Sequence, residues 1–411
     1  MRICLVNTIS TLILMVSITC HAQQEGITLR IDPEAAIGAT TSKLFTAIDY
    51  IPLETNKESL FGKIDQLYVT DEYYIILDMD TNAVLFFLKD GKFHSKINCG
   101  RKTDEVKAHF FTVDNTNRMI KIGYNFNKVK VFSFDGNLMR NYEDTTGAYY
   151  FYQLSGNTLL SYNINYSYKK NRQDSVDYEL KFYSDGNLSG KAFQYANYNR
   201  MICNEDLTSV AGGFFFDTGN PDNVTLIRYY GYDIYAVSKD SIRRKYTFVF
   251  PQQRSLPRDF KYAPDYYGKR FAYIKNTSGV IFTVSHFFQL GGLLFFKLNT
   301  LNGSASYIYD LHSAALIAVD HIASDADNGY LPVTMNGNYS TANFITYSFL
   351  TTDGVNIYAS VSSREMFDAR DAASNRGVRY NDRIQAYFSN SSARSNPVII
   401  KLKPNPGYPL K

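Results

Sequence analysis

The candidate chemistry in this chain of 411 residues lies in short carboxylate clusters, scattered histidines and one loop rich in Arg and Tyr. Asp78, Asp80 and Asn82 have the D-x-D-x-N opening of a calcium-binding loop, in which alternate side chains turn oxygen ligands onto one cation. Ala83 stands where the sharp-turn glycine belongs, and Lys89 where the bidentate glutamate belongs. An inter-strand turn is therefore the expected role, because Asp and Asn side chains satisfy turn backbones unaided. Asp320, Asp325 and Asp327 with Asn328-Gly329 are read the same way, as a turn rather than a cation site. No metal and no cofactor are expected.

His94, His109, His286, His312 and His321 occur without the G-x-S-x-G elbow that sets a nucleophile beside a base, and without the HExxH spacing that ligates zinc. Residues distant in sequence can meet in a fold, so His286 with Tyr262, Tyr266 or Tyr267 is kept as a proton-transfer pair. In the stretch Pro251 to Lys269, Arg254, Arg258, Tyr262, Tyr266 and Tyr267 supply the groups of a binding face: Tyr stacks on sugar rings and Arg grips carboxylates. The competing reading, a loop packed on the rim, is favoured because the chain has no Trp, the commonest sugar-stacking platform.

These side chains need a scaffold, and the sequence spells a repeating one. A β-rich run ending in an aromatic, then Asp-Gly, then another run occurs at Phe86 to Phe93, Val131 to Leu138 and Phe182 to Leu188, with the Asp-Gly pairs 45 and then 50 residues apart. Looser copies follow at Ile234 to Ile242 and at Phe295 to Asn299 with Asn302-Gly303. Such a period, with several strands per unit, fits propeller blades and is too long for a β-solenoid. Four strands are read in the first unit: Ile64 to Val69, Tyr73 to Leu77, Ala83 to Leu88 and Phe93 to Asn98. The other blades are read at Ala108 to Glu143, Tyr149 to Tyr198, Leu207 to Phe250, Phe271 to Leu311 and Tyr330 to Val361. The expected fold is all-β, a single six-bladed β-propeller of four-stranded antiparallel blades over residues 45–403. Phe45 to Leu53 pairs with the last blade, since an open ring leaves strand edges unpaired. Ser362 to Arg383 is expected to carry a short helix at Arg364 to Ala373 before a last strand Val398 to Leu402.

The remaining segments are a leader (residues 1–22), an N-terminal lead (23–44) and a C-terminal tail (404–411). Arg2, the apolar run Thr11 to Ile18 and the small-x-small Cys20-His21-Ala22 form an export signal too short to span a bilayer. Cleavage after Ala22 is favoured; lipidation at Cys20 is the alternative, with Ser17-Ile18-Thr19 a poor lipobox. An exported chain, periplasmic, secreted or on the cell surface, follows. Only Cys99 and Cys203 remain after the leader, and the sequence does not decide whether they pair. With 43 basic and 39 acidic residues, the charge is too balanced for a nucleic-acid footprint.

Tyr50-Ile51-Pro52-Leu53-Glu54-Thr55, Ile75-Ile76-Leu77-Asp78 before the Asp90-Gly91 turn, Asp233-Ile234-Tyr235, the turn Asp325 to Gly329 before Pro332, and Asn396-Pro397-Val398-Ile399-Ile400 together resemble the exported six-bladed propeller proteins of Bacteroidota. That family is similar in architecture to NHL and TolB-type propellers. The resemblance runs in order over residues 45–403 and implies fold and export, with no catalytic residue set. Two positions depart from the family pattern: the loop Cys99 to Glu105 after the first blade, and Ile122-Gly123-Tyr124 where the second blade is expected to carry Asp.

In propellers one rim is formed by the connections from the second strand to the third and from blade to blade. Arg101, Asp104, Glu105, Asp78, Asn125 and Asn127 are expected there with the Pro251 to Lys269 loop. The leading functional expectation is a non-catalytic binding or scaffolding propeller for a glycan, peptide or partner protein. The alternatives are a polysaccharide lyase or hydrolase with its site in the central channel, and a sensor or assembly module of an envelope complex.

Overall fold

The computed structural model describes residues 26–100, 107–124, 128–143, 150–163, 178–194, 202, 204–206, 213–334 and 349–405. Six sheets of antiparallel strands follow one another around a ring, so the all-β, six-bladed reading holds. Blade 1 comprises Gln66–Val69, Tyr73–Asp78, Ala83–Leu88 and Phe93–Asn98, within two residues of the strands read from sequence. Blade 2 comprises Ala108–Asp114, Met119–Tyr124, Lys128–Ser133 and Leu138–Glu143, and blade 3 Tyr150–Leu154, Thr158–Tyr162, Tyr178–Ser184 and Asn187–Gln194. Blade 4 runs through Phe215–Asp217, Asn223–Ile227, Asp233–Ser238 and Ile242–Val249.

The first strand of each blade lies innermost, where it meets the first strands of its neighbours. In blade 1 the middle strands are buried on both faces and their sequences are continuous apolar runs, whereas those of blade 2 alternate. In blade 1, Ile75, Ile76, Leu77, Val84, Leu85, Phe86 and Phe87 are all fully buried. The outermost strand of blade 2, by contrast, is exposed along its whole length.

The Asp-Gly repeat acquires a structural meaning. It forms the turn from third to fourth strand, and the strand pair is bulged two or three residues before the Asp in three blades: between Phe86 and Phe87, Val131 and Phe132, and Phe182 and Tyr183; in blade 4 the bulge lies farther back, between Ile234 and Tyr235. Gly91 adopts φ 91°, and a Cβ there would lie 2.2 Å from the Pro52 carbonyl oxygen. The blade 1 turn therefore rests directly on the strand that closes the ring, and the Glu54 N–H donates to the Gly91 carbonyl at 2.9 Å.

The later blades are where the sequence boundaries need correction. Blade 5 is Thr283–Leu290, Leu293–Thr300, Gly303–Asp310 and Leu316–Ala323. Phe271, read as its start, belongs to the helix Arg270–Asn276. Blade 6 takes Thr351–Thr352, Ile357–Val361 and Val398–Pro404 from the C-terminal part and Phe45–Pro52 from the N-terminal part. Its second and third strands are separated by two helices, Ser363–Ala372 and Asp382–Asn390. The first opens on a reciprocal cap between Ser362 and Glu365; the second, which the sequence reading lacks, opens on Asn381. Closure has the expected form, with an antiparallel register from Val398↔Pro52 to Lys403↔Ala47.

The lead segment also pairs. Ile27–Arg30 adds in parallel to the outer strand of blade 4, and Ile37–Thr40 to that of blade 5. The chain thus straps three consecutive blades from outside, covering two strand edges before it closes the ring on the third.

Candidate functional site

Alternating strand direction sorts the loops to two ends of the ring. One end, the turn face, carries the turns from first to second strand and from third to fourth. The other, the connection face, carries the second-to-third and blade-to-blade connections. Asp78 and the Pro251 to Lys269 loop, singled out from sequence, belong to the connection face. Arg101, Asp104, Glu105, Asn125 and Asn127 lie outside the described residues.

Asp78 is fully buried in the second-to-third turn of blade 1. Its carboxylate accepts from the Thr81 hydroxyl at 2.6 Å, the Asp80 N–H at 3.1 Å and the Gly62 N–H at 3.4 Å. Asn82, in left-handed backbone with φ 53°, accepts from the Ala108 N–H at 3.0 Å. Asp325 likewise caps its own turn and holds the Ser42 N–H at 2.9 Å. Among the described residues no three or more His, Cys, Asp or Glu side chains gather as a metal site.

The Pro251 to Lys269 loop does not present its Arg and Tyr side chains as one face. Arg254 reaches Glu34 of the strap at 3.8 Å, Arg258 is exposed, and Tyr267 is half-buried. Tyr266 packs in an aromatic cluster with Phe260 and Tyr273. Tyr262 accepts a hydrogen bond from Arg228.

Beneath that loop lies a buried ionic cluster. Glu179, in the third strand of blade 3, accepts two bonds from the Arg228 guanidinium at 2.9 and 2.7 Å, one from Lys261 at 2.9 Å and one from the Tyr162 hydroxyl at 3.1 Å. Burial raises the Glu179 pKa, but the opposing fields of Arg228 and Lys261 outweigh it and bring it down to about 2. Lys261 is pulled down to about 7 by burial and by Arg228. Next to it, Arg270 and Asp206 form a fully buried pair at 2.6 Å, and the same guanidinium donates to the Phe260 and Lys261 carbonyls at 3.0 and 2.9 Å. The loop is clasped to blades 3 and 4 by these ions. His286 sits elsewhere, at a bulge in the inner strand of blade 5 with φ 47°, its ring 5.6 Å from that of Phe216 and 3.2 Å from the Ser285 hydroxyl.

The cavity that the geometry offers opens at the turn face, which the sequence reading passes over. Its volume is about 340 Å³, and blades 1, 2, 3, 4 and 6 all contribute to its wall. Asp217, the last residue of the inner strand of blade 4, lines it. One carboxylate oxygen accepts from the Tyr152 hydroxyl of blade 3 at 2.6 Å, the other from the Thr351 hydroxyl of blade 6 at 2.8 Å. Burial raises the Asp217 pKa, and those two hydroxyl donors pull against it. Burial and the neighbouring Asp217 hold the Tyr152 phenol well above its ordinary value, so it stays a donor.

Strand alternation explains why this acid faces the cavity: Phe216, between Phe215 and Asp217, turns the other way onto His286 and Phe288 of blade 5, whereas Phe215 and Asp217 both meet Tyr152. The turns beyond Asp217 and Thr352 touch. Gly219 adopts φ 76°, and a Cβ on it would come within 2.0 Å of the Gly354 nitrogen. Gly219→Ala is therefore expected to push the blade 4 and blade 6 turns apart and cost about 1–3 kcal/mol in a urea unfolding experiment; an unchanged midpoint would contradict this contact.

From Asp217 the cavity runs toward blades 6 and 1. Asp353 is spent on its own turn: its oxygens accept from the Tyr358 hydroxyl at 2.7 Å, the Asn356 N–H at 2.7 Å and the Val355 N–H at 3.0 Å. Burial opposes its ionisation, but these donors prevail and leave its pKa below the ordinary value. Lys89 and Lys401 stand beyond it. Lys89 donates to the Thr70 carbonyl at 3.0 Å and lies 4.2 Å from the centre of the Tyr74 ring. Burial, and then repulsion from Lys401, bring its pKa down to about 8.

Fold and cavity together define a six-bladed propeller with a polar site on its axis. The chain belongs to the family described as domain of unknown function DUF4934, whose model matches residues 28–403. Among solved structures it is similar to a Bacteroides fragilis protein inferred to be exported, at 16% identity and a TM-score of 0.66, covering 92% of this chain and 99% of that one. A Bacteroides vulgatus member of the DUF4221 family aligns at 10% identity and a TM-score of 0.44, over 87% of this chain and 97% of that one. No curated protein matches the chain. Among the described residues no helix is long and apolar enough to cross a membrane.

Proposed function

We propose that the chain is an exported, non-catalytic binding propeller that holds a small ligand, or the end of a larger one, in the axial cavity of the turn face. The observation that carries this reading is the convergence of Asp217, Tyr152 and Thr351 from three blades on one cavity, with Lys89 and Lys401 on its far wall. A cavity of this volume is in the range of small-molecule sites, and a few fixed polar groups are what give such sites their specificity. Export rests on the leader over residues 1–22 and on the likeness to a protein inferred to be exported.

A polysaccharide-cleaving propeller would need two carboxylates poised across the bond to be broken. Asp353 is committed to its turn and Asp71 is exposed, an arrangement that suits holding better than cleaving.

A thermal-shift screen of the mature chain from Gln23, against glycans and peptides, tests the proposal. A ligand at a hundred times its Kd is expected to add about 2.7 kcal/mol to stability, and Asp217→Asn to reduce that gain. A ligand-induced shift that Asp217→Asn leaves intact would place the site elsewhere.

A further inference from the structure

Resting on the axial cavity as the binding site, a second reading follows from how its charges are arranged. Among the described residues no cation stands within ion-pair distance of Asp217, and no carboxylate within that distance of Lys89 or Lys401. Within ion-pair distance all three have only neutral partners, while Asp353 and Asp71 act on Lys89 from farther off. Asp217 accepts from two hydroxyls, using two of the roughly four lone-pair positions that a carboxylate offers. Lys89 has a carbonyl and a ring face.

Asp217 is also set apart from the two lysines. Asp217 comes from the inner strand of blade 4, whereas Lys401 comes from the third strand of blade 6 and Lys89 from the turn after the third strand of blade 1. A third strand lies outward of the inner strand by two positions, so Asp217 stands toward the axis and the two lysines toward the groove between blades 6 and 1, where Asp71 and Asp353 also line the wall.

We propose that the ligand is dipolar: a short peptide, or a molecule of amino-acid type, whose ammonium meets Asp217 and whose carboxylate meets Lys89 and Lys401. A purely anionic ligand satisfies the lysines but brings its charge into a cavity that also holds Asp71, Asp217 and Asp353. A neutral sugar leaves both signs uncompensated. A dipolar ligand supplies a counter-charge to each wall, and charge-assisted hydrogen bonds are the stronger kind. Tyr68, Tyr152 and Thr352 then line the path between the two ends, where the polar backbone of a peptide would lie.

The test is calorimetric titration of the mature chain with an equimolar pool of alanyl dipeptides with free termini, with the same pool N-acetylated, and with it C-amidated. The free pool is expected to bind, and each cap to weaken binding by about tenfold or more. Asp217→Asn should weaken the free pool and leave the acetylated one unchanged, and Lys401→Ala should weaken the free pool and leave the amidated one unchanged. Lys401 is half-buried, so the second variant keeps the test available if Asp217→Asn fails to fold.

Failure of the free pool to bind, or equal binding of the capped pools, overturns the dipolar assignment. If a uronic acid or a neutral oligosaccharide then binds and Asp217→Asn or Lys401→Ala weakens it, the axial site stands and only the ligand class is wrong. If none of these probes binds in a manner sensitive to either variant, the axial site itself fails along with the assignment.

Discussion

Glu179→Gln is expected to cost about 3–5 kcal/mol, the range seen when one partner of a buried ion pair is removed. The glutamate is the shared counter-ion of Arg228 and Lys261, and its side chain is 2% exposed. Without it two cations remain buried side by side, and burial disfavours the charged form of each. Urea unfolding of wild type and variant measures the difference. A loss below about 1 kcal/mol would mean that the cluster is not what fastens the loop to blades 3 and 4.

The same residue sets an acid limit. Folded Glu179 titrates at about 2 against an ordinary value of 4.5, so between those values the unfolded chain binds the extra proton and stability falls as pH falls. Its contribution, on the order of 3 kcal/mol, is complete above pH 4.5 and lost as the pH passes down through about 2. In Glu179→Gln that part of the acid dependence should disappear.

Removing the chain through Thr55 is expected to abolish the folded state. The loss includes the two strap strands and the outer strand of blade 6, in which Phe45, Tyr50 and Ile51 are buried together with the flanking Leu44 and Leu53. At about 2 kcal/mol for each side chain, roughly 10 kcal/mol of burial goes, comparable to the ~5–15 kcal/mol by which a whole domain is stable. The Tyr50 hydroxyl also joins Asn328 and the Leu331 carbonyl at 3.1 and 3.3 Å, a tie between blade 6 and the connection from blade 5. Circular dichroism and thermal melting of the truncated chain check this. A cooperative melt within a few degrees of the full-length Tm would show that the ring does not depend on this strand.

What the sequence discloses and what it hides have a physical division. Blades 1 to 3 are legible because local chemistry makes them: an aromatic, Asp-Gly and the next strand specify the third-to-fourth turn, where Gly91, Gly136 and Gly186 take positive φ; blade 4 keeps the turn as Asp240-Ser241. Blade 5 departs because its turn from first to second strand is Gly291-Gly292 inside a nearly continuous apolar run, which offers little punctuation. Blade 6 departs because 36 residues, from Ser362 to Pro397, separate its second and third strands, so no local period survives.

The cavity is hidden for a different reason. Asp217 before Thr218-Gly219-Asn220 looks like any turn acid, and its partners lie 65 and 134 residues away. A long-range meeting of one carboxylate with two hydroxyls has no signature in spacing. The loop rich in Arg and Tyr, conversely, is conspicuous in sequence, yet Tyr262 and Tyr266 are engaged with Arg228, Phe260 and Tyr273, and Arg254 reaches the strap.

The most direct test of the axial site is a crystallographic soak of the mature chain with a library of small polar fragments. Fragment density is expected in the turn-face cavity, within hydrogen-bond reach of Asp217, Tyr152 or the two lysines. Fragments that collect on the connection face around Arg258 and Tyr262, with none in the cavity, would contradict it.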